Sequence, residues 1–140
     1  MRIISGEYKG RKIYLPKDKL TRPLKDLVKE SIFNILEHSN LFFFKMKKAK
    51  ILDLFSGSGS FGLECVSRGA KHVTFIENYP AAISILNKNI NQLNCSSKTT
   101  IYEKDIFNTN LKILEKFDLI FIDPPFKSEK ISDLILKIKN

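Results

Sequence analysis

Long apolar runs are what this sequence lacks most plainly. None approaches the roughly 20 residues a helix needs to cross a bilayer, and the N-terminus has no apolar core followed by a small-residue cleavage site. The chain therefore reads as soluble and cytoplasmic. Cysteine is scarce: Cys65 and Cys95 are the two, no CxxC or HxC spacing surrounds them, and they read as buried thiols rather than as zinc or redox ligands. Internal repeats, low-complexity tracts and interdomain linkers are missing as well. A length of 140 residues then makes one domain, large enough to bury most of its apolar surface.

Positive charge is abundant, and it is localised. The formal net charge is +9; residues 1–50 hold 13 of the 24 Lys and Arg but 5 of the 15 Asp and Glu, a net +8 that leaves +1 for the other 90 residues. A Lys-rich composition with a solvated face would give the same total. The concentration in one third of the chain points instead to a polyanion, bound with release of phosphate counterions.

The first 48 residues read as a basic extension. "RIISGEYKGRKIYL" (2–15) holds two β-prone runs separated by Gly6 and Gly10, the pattern of a hairpin. After Thr21-Arg22-Pro23, the residues Leu24, Leu27, Val28, Ser31, Ile32, Ile35 and Leu36 recur at helical spacing to about Glu37, and Thr21 or the turn at Pro23 opens that helix. Phe42, Phe43 and Phe44 follow. They could form a stacking surface, but an aromatic cluster between two elements is expected to be core.

From residue 49 to residue 140 the pattern alternates. "KILDLF", "HVTFIE", "KTTIYEKD" and "FDLIFID" read as strands. Between them, "LECVSR" is helical up to Gly69, and a helix capped by Asn78, with Pro80 in its first turn, runs to about Asn94. Such alternation predicts parallel pairing with right-handed crossovers, an α/β doubly wound sheet.

Ligands of such sheets bind beyond the carboxyl ends of the strands, and the conspicuous polar residues fall there: Ser56 to Gly59, Glu77, Asp105 and Asp123. Gly57, Gly59 and Gly62 satisfy G-x-G-x-x-G, and Glu77 follows Gly57 by 20 residues, where an acid can take a ribose diol. The loop alone serves NAD or another adenosine-bearing cofactor. Asp53, at the tip of the first strand, suits the ammonium of a methionine moiety better than a pyrophosphate. The fourth strand stops at Asp123-Pro124-Pro125-Phe126, since proline ends ladder pairing. A carboxylate and a proline carbonyl there can accept the N–H bonds of a nucleobase amine, and an aromatic ring can clamp the base by stacking.

These segments resemble a known family, the bacterial methyltransferases of the guanine N2 amine in small-subunit (16S) ribosomal RNA. "RIISGEYKGRKI", "TRPLKDLVKESIFNIL", "ILDLFSGSGSFGLECVSRGA" and "DLIFIDPPF" carry the resemblance. The glycine segment and Asp-Pro-Pro-Phe are shared with many S-adenosylmethionine enzymes; Thr-Arg-Pro with Asn34 is more particular to this one. The resemblance implies a Rossmann-like methyltransferase fold with S-adenosylmethionine as cofactor. The loop from Asp53 through Phe55 and Gly57 to Gly59 would hold its methionine half, Glu77 with Asn78 the ribose, and Asp105 with Ile106 the adenine. Asp123, Pro124 and Phe126 would handle the guanine. Arg22 would border cofactor or RNA, and Arg2, Lys9, Arg11 and Lys12 of the hairpin would lie on phosphates of 16S rRNA or the assembling small subunit. No metal is implied. The family's sheet continues into a final antiparallel hairpin that this chain, ending at Asn140, does not contain, so the fourth strand is expected to leave an uncovered edge.

Other readings stay open on these residues. Asp-Pro-Pro-aromatic also serves adenine N6 methylation, and a basic remnant could bind RNA without catalysis. An NAD oxidoreductase is disfavoured because His38 and His72 lie away from the strand-end rim.

Overall fold

Side chains alternate across a strand, and that alternation sorts the apolar residues into two cores. The computed structural model describes residues 1–18, 24–40, 43–113, 115–125 and 130–139. In it, β1 (Lys50–Leu54), β2 (His72–Glu77), β3 (Thr99–Glu103) and β4 (Leu119–Ile122) form one parallel sheet in the order β3-β2-β1-β4. Ile51, Val73, Phe75, Ile101, Leu119 and Phe121 face one layer. Leu52, Leu54, Ile76, Tyr102, Ile120 and Ile122 face the other.

Helices cover both faces, as doubly winding requires. Phe33 of α1 (Asp26–His38), Leu63 and Val66 of α2 (Ser60–Ser67), and Leu86 and Ile90 of α3 (Pro80–Gln92) pack on the first layer. Leu134 of α4 (Ile131–Lys139) packs on the second. The chain reverses its direction of winding between β1 and β4, which opens a crevice past their carboxyl ends.

Several boundaries depart from the sequence reading. The cap of α3 is Tyr79, not Asn78; Glu77 Oε1 accepts the N–H groups of both Asn78 and Tyr79, at 2.9 and 3.0 Å, and so fixes the backbone that enters the helix. The N-terminal runs pair antiparallel as a hairpin does, through the Arg2–Lys12 bridge and the hydrogen bonds of the Ile3 N–H to Arg11 and the Ile13 N–H to Met1, but the pairing is too short to make strands. Ile3 and Ile13 are buried beside it. Helix α1 turns inward part of its aliphatic stripe, Leu36 with Ile32 and, just ahead of the helix, Leu24, together with Lys29 and Phe33, and leaves Leu27 75% and Ile35 54% exposed. Of the Phe42–Phe44 cluster expected in the core, Phe44 is half-buried against it and Phe43 is fully exposed; Phe42 lies outside the described residues, as do Thr21, Arg22 and Pro23.

A buried ion pair explains why a lysine faces inward on α1. Lys29 and Glu64 have no exposed side-chain surface, and Lys29 Nζ lies 3.3 Å from Glu64 Oε2. The ammonium also donates to the Arg2 carbonyl (2.8 Å) and Ser60 Oγ (3.2 Å). Glu64 further accepts the N–H groups of Ile4 and Ser5 and the Arg68 guanidinium. Two buried charges out of water require such complete pairing, and burial still draws the Lys29 ammonium below its usual pKa. The network fastens the N-terminal turn to α2, while Asn89 of α3 holds Tyr14 by both its backbone N–H and carbonyl. Cys65 and Cys95 are free and buried, as expected. No helix among the described residues is long and apolar enough to cross a membrane.

Candidate active site

A cavity of about 890 Å³ opens past the carboxyl ends of the strands. Asp53 reaches it from β1, Glu77 from the end of β2, Asp105 from beyond β3, and Asp123 from beyond β4. The four strand-end acids thus share one wall system. The loop leaving β1 turns into α2 through Phe55, Gly57 and Gly59, all with positive φ (56°, 55° and 82°).

The three glycines do different work. Gly57 lines the cavity. Gly59 and Gly62 do not: a Cβ on Gly59 would stand 2.3 Å from Leu86 Cδ1, and one on Gly62 2.3 Å from Phe75 Cε1. These two let α2 press against α3 and the sheet, so the wall lies where a ligand can be reached by the backbone ahead of them. Gly59, expected to touch the cofactor, is not among the residues lining this cavity and packs closely on Leu86.

Glu77 organises the rim. Its Oε2 accepts the Gly57 N–H at 2.8 Å, while Oε1 takes the N–H groups of Asn78 and Tyr79. A carboxylate has about four acceptor positions; three are filled, and one remains open. Asp105 is similarly anchored, accepting the Phe107 N–H (3.0 Å) and the Asn108 amide (3.2 Å) of the 3-10 turn that follows it.

Asp53 is 2% exposed, and its Oδ2 accepts the Gly62 N–H at 3.0 Å. Burial pushes its pKa up to about 8, and the charges of Asp123 and Glu77 add to the rise, against the lowering by the Gly62 bond. Asp123 is exposed by surface area, yet partial desolvation at the cavity wall raises its pKa as well. A neutral-to-anionic cluster of this kind favours a cationic ligand and can release or take a proton near neutrality.

Of the residues singled out in the sequence, Asp53, Phe55, Gly57, Glu77, Asn78, Asp105, Ile106, Asp123 and Pro124 all line this cavity. Phe126, like Arg22, lies outside the described residues. Aromatic rings complete the walls in a way the sequence did not signal. Phe55 tilts against Phe107 with centroids 5.7 Å apart, and Phe61 stacks on Phe121 at 3.8 Å. Leu24 and Val28 bring the start of α1 to the mouth; their i, i+4 spacing was visible, but not what they faced. His38 is exposed at the end of α1, and His72 bonds Thr100 at the opposite end of the sheet.

Of the basic residues of the N-terminal turn, Arg11 stands apart from the cavity, whereas the Arg2 carbonyl shares the Lys29 ammonium with Ser60 of its lining. Arg2, Lys9, Arg11 and Lys12 are exposed. Arg11 donates to the Gln92 carbonyl (2.6 Å), at the last residue of α3, whereas Tyr79 and Ala82 bring the first turn of α3 to the cavity. A helix of 13 residues separates them by about 20 Å at 1.5 Å per residue.

The sequence pattern of a family described as conserved hypothetical protein 95 matches residues 1–140. Ribosomal RNA small subunit methyltransferase D of Buchnera aphidicola (subspecies Baizongia pistaciae) is 38% identical, over 100% of this chain and 69% of that protein. Its counterpart in Escherichia coli K12 is 33% identical over 96% of this chain and 65% of its own length. Among solved structures, yhhF of Escherichia coli, provisionally assigned as a methyltransferase, superposes with a TM-score of 0.80 at 29% identity, covering 100% of this chain and 72% of that one.

Proposed function

The chain belongs to the conserved hypothetical protein 95 family, that of ribosomal RNA small subunit methyltransferase D, and from that membership we propose that it methylates the N2 amine of a guanine in 16S rRNA, with S-adenosylmethionine as donor. The chain is an α/β Rossmann-like methyltransferase related to rRNA-modifying enzymes. The observation that supports guanine as its target is the shared cavity: Asp53, Glu77 and Asp123 border one space rather than three.

That space fits the cofactor by its donor and acceptor set. Glu77 keeps an acceptor position for a ribose hydroxyl. Asp53 offers a carboxylate for an ammonium, Gly57 brings backbone close, and Ile106 beside the Asp105 turn gives an apolar surface for a purine. When bound, S-adenosylmethionine supplies an electrophilic methyl group on a sulfonium.

The remaining work falls to the chain's own residues. Asp123 and the Pro124 carbonyl accept the N–H bonds of the guanine amine, localise its lone pair, and stabilise the positive charge that develops on nitrogen. Asp123 then takes the proton that the nitrogen gives up, a role its raised pKa favours. Phe126 is assigned to stack on the base. The exposed Arg2, Lys9, Arg11 and Lys12 contact phosphates of the RNA, those at Arg11 remote from the target base.

Incubation of the chain with unmodified 16S rRNA and methyl-labelled S-adenosylmethionine, followed by nucleoside analysis, tests the reading. Label in N2-methylguanosine supports it. Label in N6-methyladenosine, or none in the presence of salt-sensitive RNA binding, overturns it in favour of an adenine methyltransferase or a non-catalytic RNA binder.

A further inference from the structure

Phe43 is 106% exposed, and the segment that follows it is anchored to the core. Burial alternates along the segment: Phe44 and Met46 point to the core, while Phe43, Lys45 and Lys47 are exposed. Met46 is 6% exposed and anchors the turn whose Ala49 N–H returns to the Met46 carbonyl. Lys48 holds a left-handed backbone, φ 67°, and its N–H donates to the Gly69 carbonyl at 2.9 Å. A non-glycine residue in that conformation persists only where its surroundings fix it. The loop is thus built to present one aromatic ring and three ammonium groups on a fixed base.

These side chains border a second cavity, about 810 Å³, with Asp118 on its far side. It lies where β1 starts and just before β4, at the end of the sheet opposite the active-site cavity. Three lysines face a single carboxylate there, and Asp118 Oδ2 is already engaged by the Lys50 N–H at 2.8 Å. Among the described residues, Lys45, Lys47 and Lys48 form no ion pair, whereas Lys50 pairs with Glu115. The surface is net cationic, and the exposed Phe43 ring borders it.

We propose that Phe43, Lys45, Lys47 and Lys48 form a second RNA-binding surface, distal to the active site, that takes an unpaired strand by stacking a base on Phe43 and pairing its phosphates with the lysines. Charge selects a polyanion over an apolar partner, and the bare ring selects an unstacked base over a duplex, whose bases are covered. The inference rests on the reading of RNA as the substrate, and it extends that substrate: an RNA bound in the active-site cavity would be gripped again at the far end of the sheet.

The test is anisotropy of a labelled single-stranded oligouridylate against the 140-residue chain over a range of salt. Phe43→Ala is expected to weaken binding about tenfold and Phe43→Leu similarly, while Phe43→Trp keeps the affinity, because stacking needs a π face. The combined variant Lys45→Ser, Lys47→Ser, Lys48→Asn, with asparagine chosen for the left-handed position, is expected to lower the slope of log K against log salt by about 0.7 for each lost phosphate contact. Unchanged affinity and slope in these variants, or no binding by the parent chain, would overturn the proposal. So would a concentration-dependent dimer that Phe43→Ala dissociates in sedimentation equilibrium, which would make this face an interface between copies. S-adenosylhomocysteine binding, titrated in parallel, reports on the active-site cavity alone, so failure of one reading is told apart from failure of the other.

Discussion

Glu77 Oε2 accepts the backbone N–H of Gly57 at 2.8 Å, joining the end of β2 to the loop after β1 across 20 residues of sequence. The same carboxylate holds the first turn of α3 through Asn78 and Tyr79. In the proposed enzyme it therefore has two tasks, shaping the loop and offering its last acceptor position to a ribose hydroxyl. Glu77→Ala is expected to weaken S-adenosylhomocysteine by about 1.5 to 3 kcal/mol, as for a hydrogen bond to a charged group. An unchanged dissociation constant by calorimetry would refute the ribose assignment.

Asp123→Ala separates binding from transfer. The side chain faces the shared cavity from beyond β4 and makes no hydrogen bond among the described residues, so its removal should leave cofactor affinity largely intact. Methyl transfer should fall by roughly a hundredfold or more, the scale of a lost acid–base or electrostatic group. Full activity in this variant would remove the argument for a base-amine pocket.

Asp53 gives a pH signature. With a folded-state pKa pushed up to about 8, it stays protonated in the folded chain at pH values where the unfolded chain has already lost that proton. Unfolding then releases a proton between the ordinary carboxylate range and about 8, so the Asp53 contribution to stability falls as pH rises, by about 1.4 kcal/mol per pH unit. Urea unfolding of the parent chain and of Asp53→Asn across this window should diverge with that sign. A ligand ammonium beside Asp53 should also drive its proton off at neutral pH, read as buffer-dependent heat in calorimetry. Parallel stability curves would contradict the buried, protonated acid.

Much of this was legible in the sequence, and the reasons are physical. β1, β2 and β4 were short, mostly apolar runs, each with an acid at or just past its end, and parallel strands covered on both faces produce that pattern. Asp53, Glu77, Asp105 and Asp123 could be assigned to one rim because they ended successive strands. Helix α1 was misread in part of its facing because its inward stripe includes Lys29, a charge that looks solvated until Glu64, 35 positions later, pairs with it. The glycine motif was seen, but that Gly59 and Gly62 serve helix packing depends on Leu86 and Phe75, which spacing cannot locate. The Phe42–Phe44 cluster looked like core since composition does not say which ring alternation turns outward.

The buried ion pair makes an asymmetric prediction. Glu64→Ala strands the Lys29 ammonium and leaves the Ile4 and Ser5 N–H groups without their acceptor, which should destabilise the fold by about 3 to 5 kcal/mol. Lys29→Met should be milder, because Glu64 retains Arg68 and both N–H donors. Equal losses in denaturant titrations would mean the pair does not fasten the N-terminal turn as described.

Gly62→Ala probes the packing of α2. Its Cβ would lie 2.3 Å from Phe75 Cε1 and 2.8 Å from Val73 Cγ1, and both of those residues are fully buried. Overpacking of this kind costs about 1 to 3 kcal/mol. A shift of the urea midpoint by less than that range implies would show that α2 can move away from β2.

The most direct measurement is a crystal structure of the chain with S-adenosylhomocysteine, read for the position of the ligand's sulfur relative to Glu77 and Asp123. The ribose should rest on the Glu77 carboxylate and the sulfur should face Asp123, with space between them for a purine amine. A ligand seated outside this cavity, or one whose sulfur turns away from Asp123, would contradict the account.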